Sequence, residues 1–161
     1  MKKELLSSRQ LAHKPALQHL LSFTWLRKST VIEIISSLLI ILFIYTALSK
    51  LSNYSNFIAQ LSKSPFITSY ASSIAWSIPA VEIILSLLLV LQRTRLLGLY
   101  ASFFLMSLFT AYLAIMLNFS YYIPCSCGGV LQYLSWNQHI VFNSFFIVIA
   151  GTGVLLKENT P

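Results

Sequence analysis

The chain has 161 residues, of which 57% are hydrophobic and only 9% charged; an average soluble domain carries roughly 25% charged residues. A soluble fold of this size cannot hide several long uncharged stretches from water, so the composition excludes an ordinary globular domain and points to lipid as the solvent. The formal net charge of +7 does not indicate nucleic acid. The basic residues flank apolar blocks, which is a topology pattern, and no basic patch interleaved with aromatics stands in a polar segment.

Residues 1–30 form a basic segment holding Lys2, Lys3, Arg9, Lys14, Arg27 and Lys28. It is too long for the charged region of a signal peptide, and no small-x-small cleavage site follows the first apolar block, so that block is read as a retained span. Within the segment, Leu17, Leu20, Leu21 and Trp25 fit a short helix lying in the membrane interface over residues 16–26. A basic tail without fixed structure fits equally well. Four apolar blocks then follow, at about 31–49, 71–91, 96–117 and 139–156, and a tail at 157–161. Each block is close to the ~20 residues that a helix needs to cross ~30 Å of hydrocarbon. A backbone in lipid must satisfy its own hydrogen bonds, and these blocks do not alternate as barrel strands do, so helices are expected. The predicted fold class is all-α: an integral membrane four-helix bundle.

Orientation is read from Lys and Arg. The N-terminal segment, the short turn Gln92-Arg93-Thr94-Arg95 and Lys157 fall on one side of a four-span bundle. The other side has Lys50 and Lys63, and no Lys or Arg from 118 to 138. Both termini are therefore expected in the cytoplasm of a bacterial inner membrane, and the loop before block four in the periplasm. In the first outer loop, Tyr54, Phe57, Ile58 and Leu61 share one helical face, with Asn53 as a candidate cap and Ser64-Pro65 as a stop. Such an amphipathic helix either anchors at the membrane surface or folds over the bundle as a lid.

The segment from Tyr122 to Val130 contains the chain's two cysteines, Cys125 and Cys127, separated by Ser126. A disulfide across one residue strains the preferred geometry and is more easily reduced than a relaxed one, so the pair suits thiol exchange better than stapling. The oxidising side of a membrane permits the disulfide form. Two other readings stand beside exchange: a purely structural pair, and a zinc site with His139 as third ligand.

Glu82 lies inside block two, about two turns from its outer end, and Pro79 precedes it by three residues. A carboxylate at that depth faces the bundle interior or a wet cavity, as a proton-handling or ligand-binding acid or as a packing group. Lys50, at the outer end of block one, reaches toward Glu82 by snorkelling or anchors at the interface. Asn143 is four residues after His139 and shares its face. His139 can activate a cysteine or shuttle a proton, or simply hydrogen-bond at the interface. The catalytic candidates are thus Cys125, Cys127, His139 and Glu82, and the cofactor-binding candidates Lys50, Glu82 and Asn143. All fall toward the outer half of one bundle.

On these residues the chain resembles the MauE/DoxX-like family of small bacterial membrane proteins. The matching pieces are Tyr45-Thr-Ala-Leu-Ser-Lys-Leu51, Phe57 and Leu61, Ile78-Pro-Ala-Val-Glu82, Cys125-Ser-Cys-Gly-Gly129, and the later His139 and Asn143. The resemblance spans roughly residues 30–156. It implies a four-helix membrane bundle associated with maturation of a disulfide-rich periplasmic protein, alongside a thioredoxin-like partner, and in other members with quinone or thiol oxidation. It would make Cys125 and Cys127 a redox pair. The chain departs from membrane disulfide-generating enzymes in having one cysteine pair where those relay through two, so it must exchange directly with a membrane quinone or depend on a partner. The expected function is a membrane thiol–disulfide redox protein exchanging electrons with a periplasmic thioredoxin-like or client protein. The alternatives are a non-catalytic membrane subunit or assembly factor, and, more remotely, a carrier or channel built around Glu82 and Pro79.

Overall fold

A computed structural model of the chain describes residues 28–63, 68–119 and 135–158. The basic segment 1–27, most of the cysteine loop and the last three residues lie outside the described residues, as do Ser64 and Pro65. Among the described residues, four helices are long and apolar enough to cross a membrane: α1 Lys28–Ser52, α3 Ala71–Val90, preceded by a 3-10 turn at Thr68–Tyr70, α4 Arg95–Phe119 and α5 Trp136–Glu158. A short helix, α2 Tyr54–Ser62, joins α1 to α3. Among the described residues there is no strand.

α1, α4 and α5 run past their apolar blocks, and α3 ends one residue short of its own; the ends at α5 and at the α3–α4 turn are closed by polar groups that a hydropathy reading does not weigh. At the start of α5, the Ser135 N–H donates to Gln138 Oε1 at 2.9 Å, and the Gln138 N–H donates to Ser135 Oγ at 3.4 Å. This reciprocal capping box begins the helix at Trp136, three residues before the expected 139. At the other end of the bundle, the turn between α3 and α4 is closed by its own polar side chains. Thr94 Oγ1 donates to the Leu88 carbonyl at 2.9 Å and Arg95 Nε to that of Leu89 at 3.1 Å. Both carbonyls belong to the last turn of α3 and have no partner within the helix. Gly98 lies against this turn, where a Cβ would sit 3.1 Å from the Leu89 backbone nitrogen.

The buried positions recur at steps of three and four. In α1 they include Ile32, Ser36, Leu39, Phe43, Thr46 and Lys50, and in α3 Ala71, Ala75, Pro79, Glu82, Ser86 and Leu89. In α5 they include His139, Asn143, Phe146, Ala150 and Val154. This is the seam of helices packed nearly parallel or antiparallel. Ile35, Leu39 and Phe43 of α1 meet Leu85 and Leu89 of α3, Leu99 and Met106 of α4, and Phe146, Ala150 and Val154 of α5 in one core. Gly153 lets α5 approach closely: a Cβ there would lie 3.0 Å from both Ile35 and Leu99. The opposite faces carry exposed Ile34, Leu38, Ile41 and Leu48 on α1 and Val141, Phe145 and Val148 on α5, which suit lipid tails.

In α2, Phe57 and Leu61 are buried against Ala71 and Ala75, with Tyr54 and Ile58 partly buried beside them, so the helix folds onto α3. Asn53 occupies the N-cap position, but its side chain makes no capping bond; its carbonyl accepts from the Phe57 N–H at 3.0 Å.

Candidate functional site

The spacing of Thr46 and Lys50 places both on the buried face of α1, near its end at Ser52. Glu82 stands on the buried face of α3, eleven residues after Ala71, which is about 16 Å along the helix axis. That is about three turns into α3, whereas Lys50 stands two residues from the end of α1 at Ser52. The long Lys50 side chain spans the difference: its Nζ donates to Glu82 Oε1 at 2.6 Å, with side-chain exposures of 2% and 8%. A lysine so enclosed is not an interface anchor. It compensates a charge that low-dielectric surroundings would otherwise penalise heavily.

The ion pair forms one edge of a cavity of about 40 Å³, room for roughly three waters at about 10–15 Å³ each. Its polar lining is Thr46, Lys50, Glu82 and Asn143; its apolar walls are Leu42, Phe43, Leu105, Met106, Phe109 and Phe142. Asn143 comes from α5, seven residues after Trp136, and is only 5% exposed. Thr46 is turned toward its own helix, donating Oγ1 to the Phe43 carbonyl at 3.1 Å. Ser86 Oγ donates to the Glu82 main-chain carbonyl at 2.9 Å, one turn further along α3.

Three groups here are buried without a hydrogen-bond partner among the described residues. Glu82 Oε2 and Asn143 Nδ2 both belong to residues lining the cavity; the third is the His139 ring, at both nitrogens. His139 is 1% exposed, one turn before Asn143 on the same face, and does not line the cavity. Unsatisfied buried polar atoms are rare in native proteins and each calls for an explanation.

Three of the candidates read from sequence are therefore brought to one cavity, namely Lys50, Glu82 and Asn143. His139 is stacked one turn away. Cys125 and Cys127 lie outside the described residues. Among the described residues no three His, Cys, Asp or Glu side chains gather as metal ligands; the zinc alternative draws on the two cysteines and is outside that set. Sequence reasoning missed Thr46 and the phenylalanine walls. Thr46 was detectable as the residue four before Lys50, on the same face.

Residues 28–156 match the family model described as methylamine utilisation protein MauE. The chain belongs to the MauE family. The matched region covers all four candidate spans apart from the last two residues of α5, and it includes the cysteine pair. No curated protein and no solved structure matches the chain. MauE membership together with the four apolar helices makes this a multi-pass membrane protein embedded in a lipid bilayer. The methylamine setting belongs to the family's description and not to any residue of the cavity.

Proposed function

We propose that this MauE-family chain is a thiol–disulfide redox protein of the bacterial inner membrane. Its Cys125/Cys127 pair faces the periplasm and exchanges with a thioredoxin-like or client protein. The observation that carries the reading is the gathering of Lys50, Glu82 and Asn143 around one cavity. An ion pair inside an apolar bundle is costly to assemble and marks a functional site by default. The distribution of Lys and Arg supports an orientation with both termini inside, which sets the cavity in the outer half to middle of the bilayer and the cysteine loop beyond it.

Oxidation of the Cys125/Cys127 dithiol forms one S–S bond and releases two electrons and two protons. A membrane quinone held at the Lys50–Glu82–Asn143 cavity would be the acceptor for both. The residues fit such a carrier: the unpartnered Asn143 amide is a hydrogen-bond donor for a ring oxygen, and the phenylalanine walls suit a flat ring. His139, in the first turn of α5, is suited to take a thiol proton. Electron flow in the opposite sense uses the same groups.

The test is thiol trapping in intact cells with a membrane-impermeant maleimide, with and without prior reduction. The proposal expects Cys125 and Cys127 to label only after reduction, and expects a C127S variant to accumulate a mixed disulfide with a periplasmic protein. Thiols that remain reduced and unreactive under both oxidising and reducing growth would overturn it. If replacing both cysteines by Ser left the phenotype and partner pull-down unchanged, the assembly-factor reading would take its place.

A further inference from the structure

The cavity has an unusual complement of free hydrogen-bonding atoms. Glu82 Oε1 is engaged by Lys50, while Oε2 has no partner; Asn143 Nδ2 has none either. Within the ion pair Glu82 is a carboxylate and can only accept, whereas an amide nitrogen can only donate. The site therefore offers one free acceptor and one free donor on two residues of the same cavity.

A ring carbonyl can satisfy the Asn143 donor alone, and it would bring its own lone pairs against Glu82 Oε2. A ring hydroxyl satisfies both, donating to the carboxylate and accepting from the amide. The bond to the carboxylate is charge-assisted, the stronger kind. Water offers the same donor and acceptor, so the walls decide between them. Phe43, Phe109 and Phe142 surround the polar edge with aromatic surface, which favours a flat apolar ring over a small cluster of waters. The volume suits the hydroxyl-bearing edge of a single ring.

We infer that the Lys50–Glu82–Asn143 cavity is a binding site for lipid-soluble aromatic alcohols, the phenol and hydroquinone class, and that it prefers the hydroxyl form of a ring to its carbonyl form. The inference builds on the redox reading by stating which form of the carrier the site holds. The two fail separately, because binding is measured without turnover on a probe that carries no thiol. Trapping of Cys125 and Cys127 can succeed while binding fails, and the reverse.

The experiment uses the full chain in lipid nanodiscs and three probes of matched size: trimethylhydroquinone, trimethylbenzoquinone, and the dimethyl ether of the hydroquinone. Equilibrium binding is measured by calorimetry under anaerobic conditions. The hydroquinone is expected to bind about tenfold or more tighter than either of the other two, the scale of one charge-assisted hydrogen bond. The E82Q variant turns the free acceptor into an amide donor, because the carboxamide oxygen stays with Lys50. It is expected to reverse the order, so that the quinone binds more tightly than the hydroquinone. The N143L variant removes the donor and is expected to weaken both, the quinone more. Size-exclusion profiles establish that each variant is folded, and N143L keeps the test decisive if E82Q is not. Equal binding of all three probes by the wild type, an affinity order that a folded E82Q leaves unchanged, or an N143L variant that binds both rings as tightly as the wild type, would overturn the inference. So would absence of binding, which would leave water as the occupant.

Discussion

Removing one partner of the Lys50–Glu82 pair separates the stability of this bundle from its chemistry. In K50M the Met side chain keeps most of the aliphatic volume of the lysine stem but leaves the Glu82 carboxylate buried with neither oxygen compensated. Truncating one member of a buried pair costs about 3–5 kcal/mol, and a lone acidic group near the centre of a span about 2.5–3.5 kcal/mol. K50M is therefore expected to lose roughly 3 kcal/mol, and E82L, which strands the ammonium, a similar amount. The double variant K50M/E82L strands nothing. The desolvation of two ions offsets most of their mutual attraction, so the apolar replacement should lie within about 1–2 kcal/mol of wild type, on either side. The coupling energy of the cycle is then of the order of several kcal/mol, far above the ~0.5 kcal/mol expected of independent sites. Reversible unfolding by steric trapping in bicelles would read all four variants. If the two single losses simply add in the double variant, Lys50 and Glu82 do not form the ion pair and the cavity built around it is wrong.

Three further outcomes follow from the packing and from the proposed topology. Ala at Gly98 should destabilise by about 1–3 kcal/mol, the usual penalty for overpacking, because its Cβ meets the Leu89 backbone nitrogen, which cannot move aside. In the same unfolding assay Ala at Gly153 should cost a comparable amount, since its Cβ meets Leu99 and the stiff β-branched Ile35 at 3.0 Å each. L39A, at a fully buried position in the main core, should cost about 2–5 kcal/mol, while I41A on the exposed face of α1 should change unfolding little. Reporter fusions after Thr94 and after Val130 should be active in the cytoplasm and in the periplasm respectively, and the converse pattern would reverse the proposed orientation.

The four spanning helices were legible in the sequence because the bilayer imposes them: roughly 20 apolar residues admit no other regular structure. Lys50 and Glu82 were legible for a related reason, since each is a charge standing in or beside an apolar block. The exact helix ends were less so. They depend on local hydrogen bonds such as the reciprocal pair of Ser135 and Gln138, or Thr94 and Arg95 on the carbonyls of Leu88 and Leu89. The inward faces were hardest to read. In a soluble helix the core side is the apolar side, but here exposed Ile34, Leu38 and Ile41 are as apolar as buried Leu39 and Phe43. Without that contrast, hydrophobicity cannot separate the cavity walls from the lipid surface. The small polar residues mark the inside instead. Ser36, Thr46, Ser86 and Ser102 are all buried, and the last three hydroxyls bond carbonyls of their own helices. They leave room between helices without demanding a partner across the bundle.

That economy makes the cavity stand out. Thr46, Ser86 and Ser102 satisfy themselves locally and carry no information about a ligand; Ser36 Oγ is buried without a partner but does not line the cavity, and the core of Leu39, Leu89, Leu99 and Ala150 packs without polar help. Against this background, Glu82 Oε2 and Asn143 Nδ2 are buried without partners on two residues that line one space. Replacing the whole ion pair by apolar residues is expected to leave stability within about 1–2 kcal/mol, so folding alone does not account for it. The double variant K50M/E82L brings the two arguments to one measurement. It is expected to unfold near the wild-type midpoint and yet to bind trimethylhydroquinone no better than its dimethyl ether. A protein that kept the hydroxyl preference without the ion pair would show that recognition resides in Asn143 and the aromatic walls, and that the charges serve only each other.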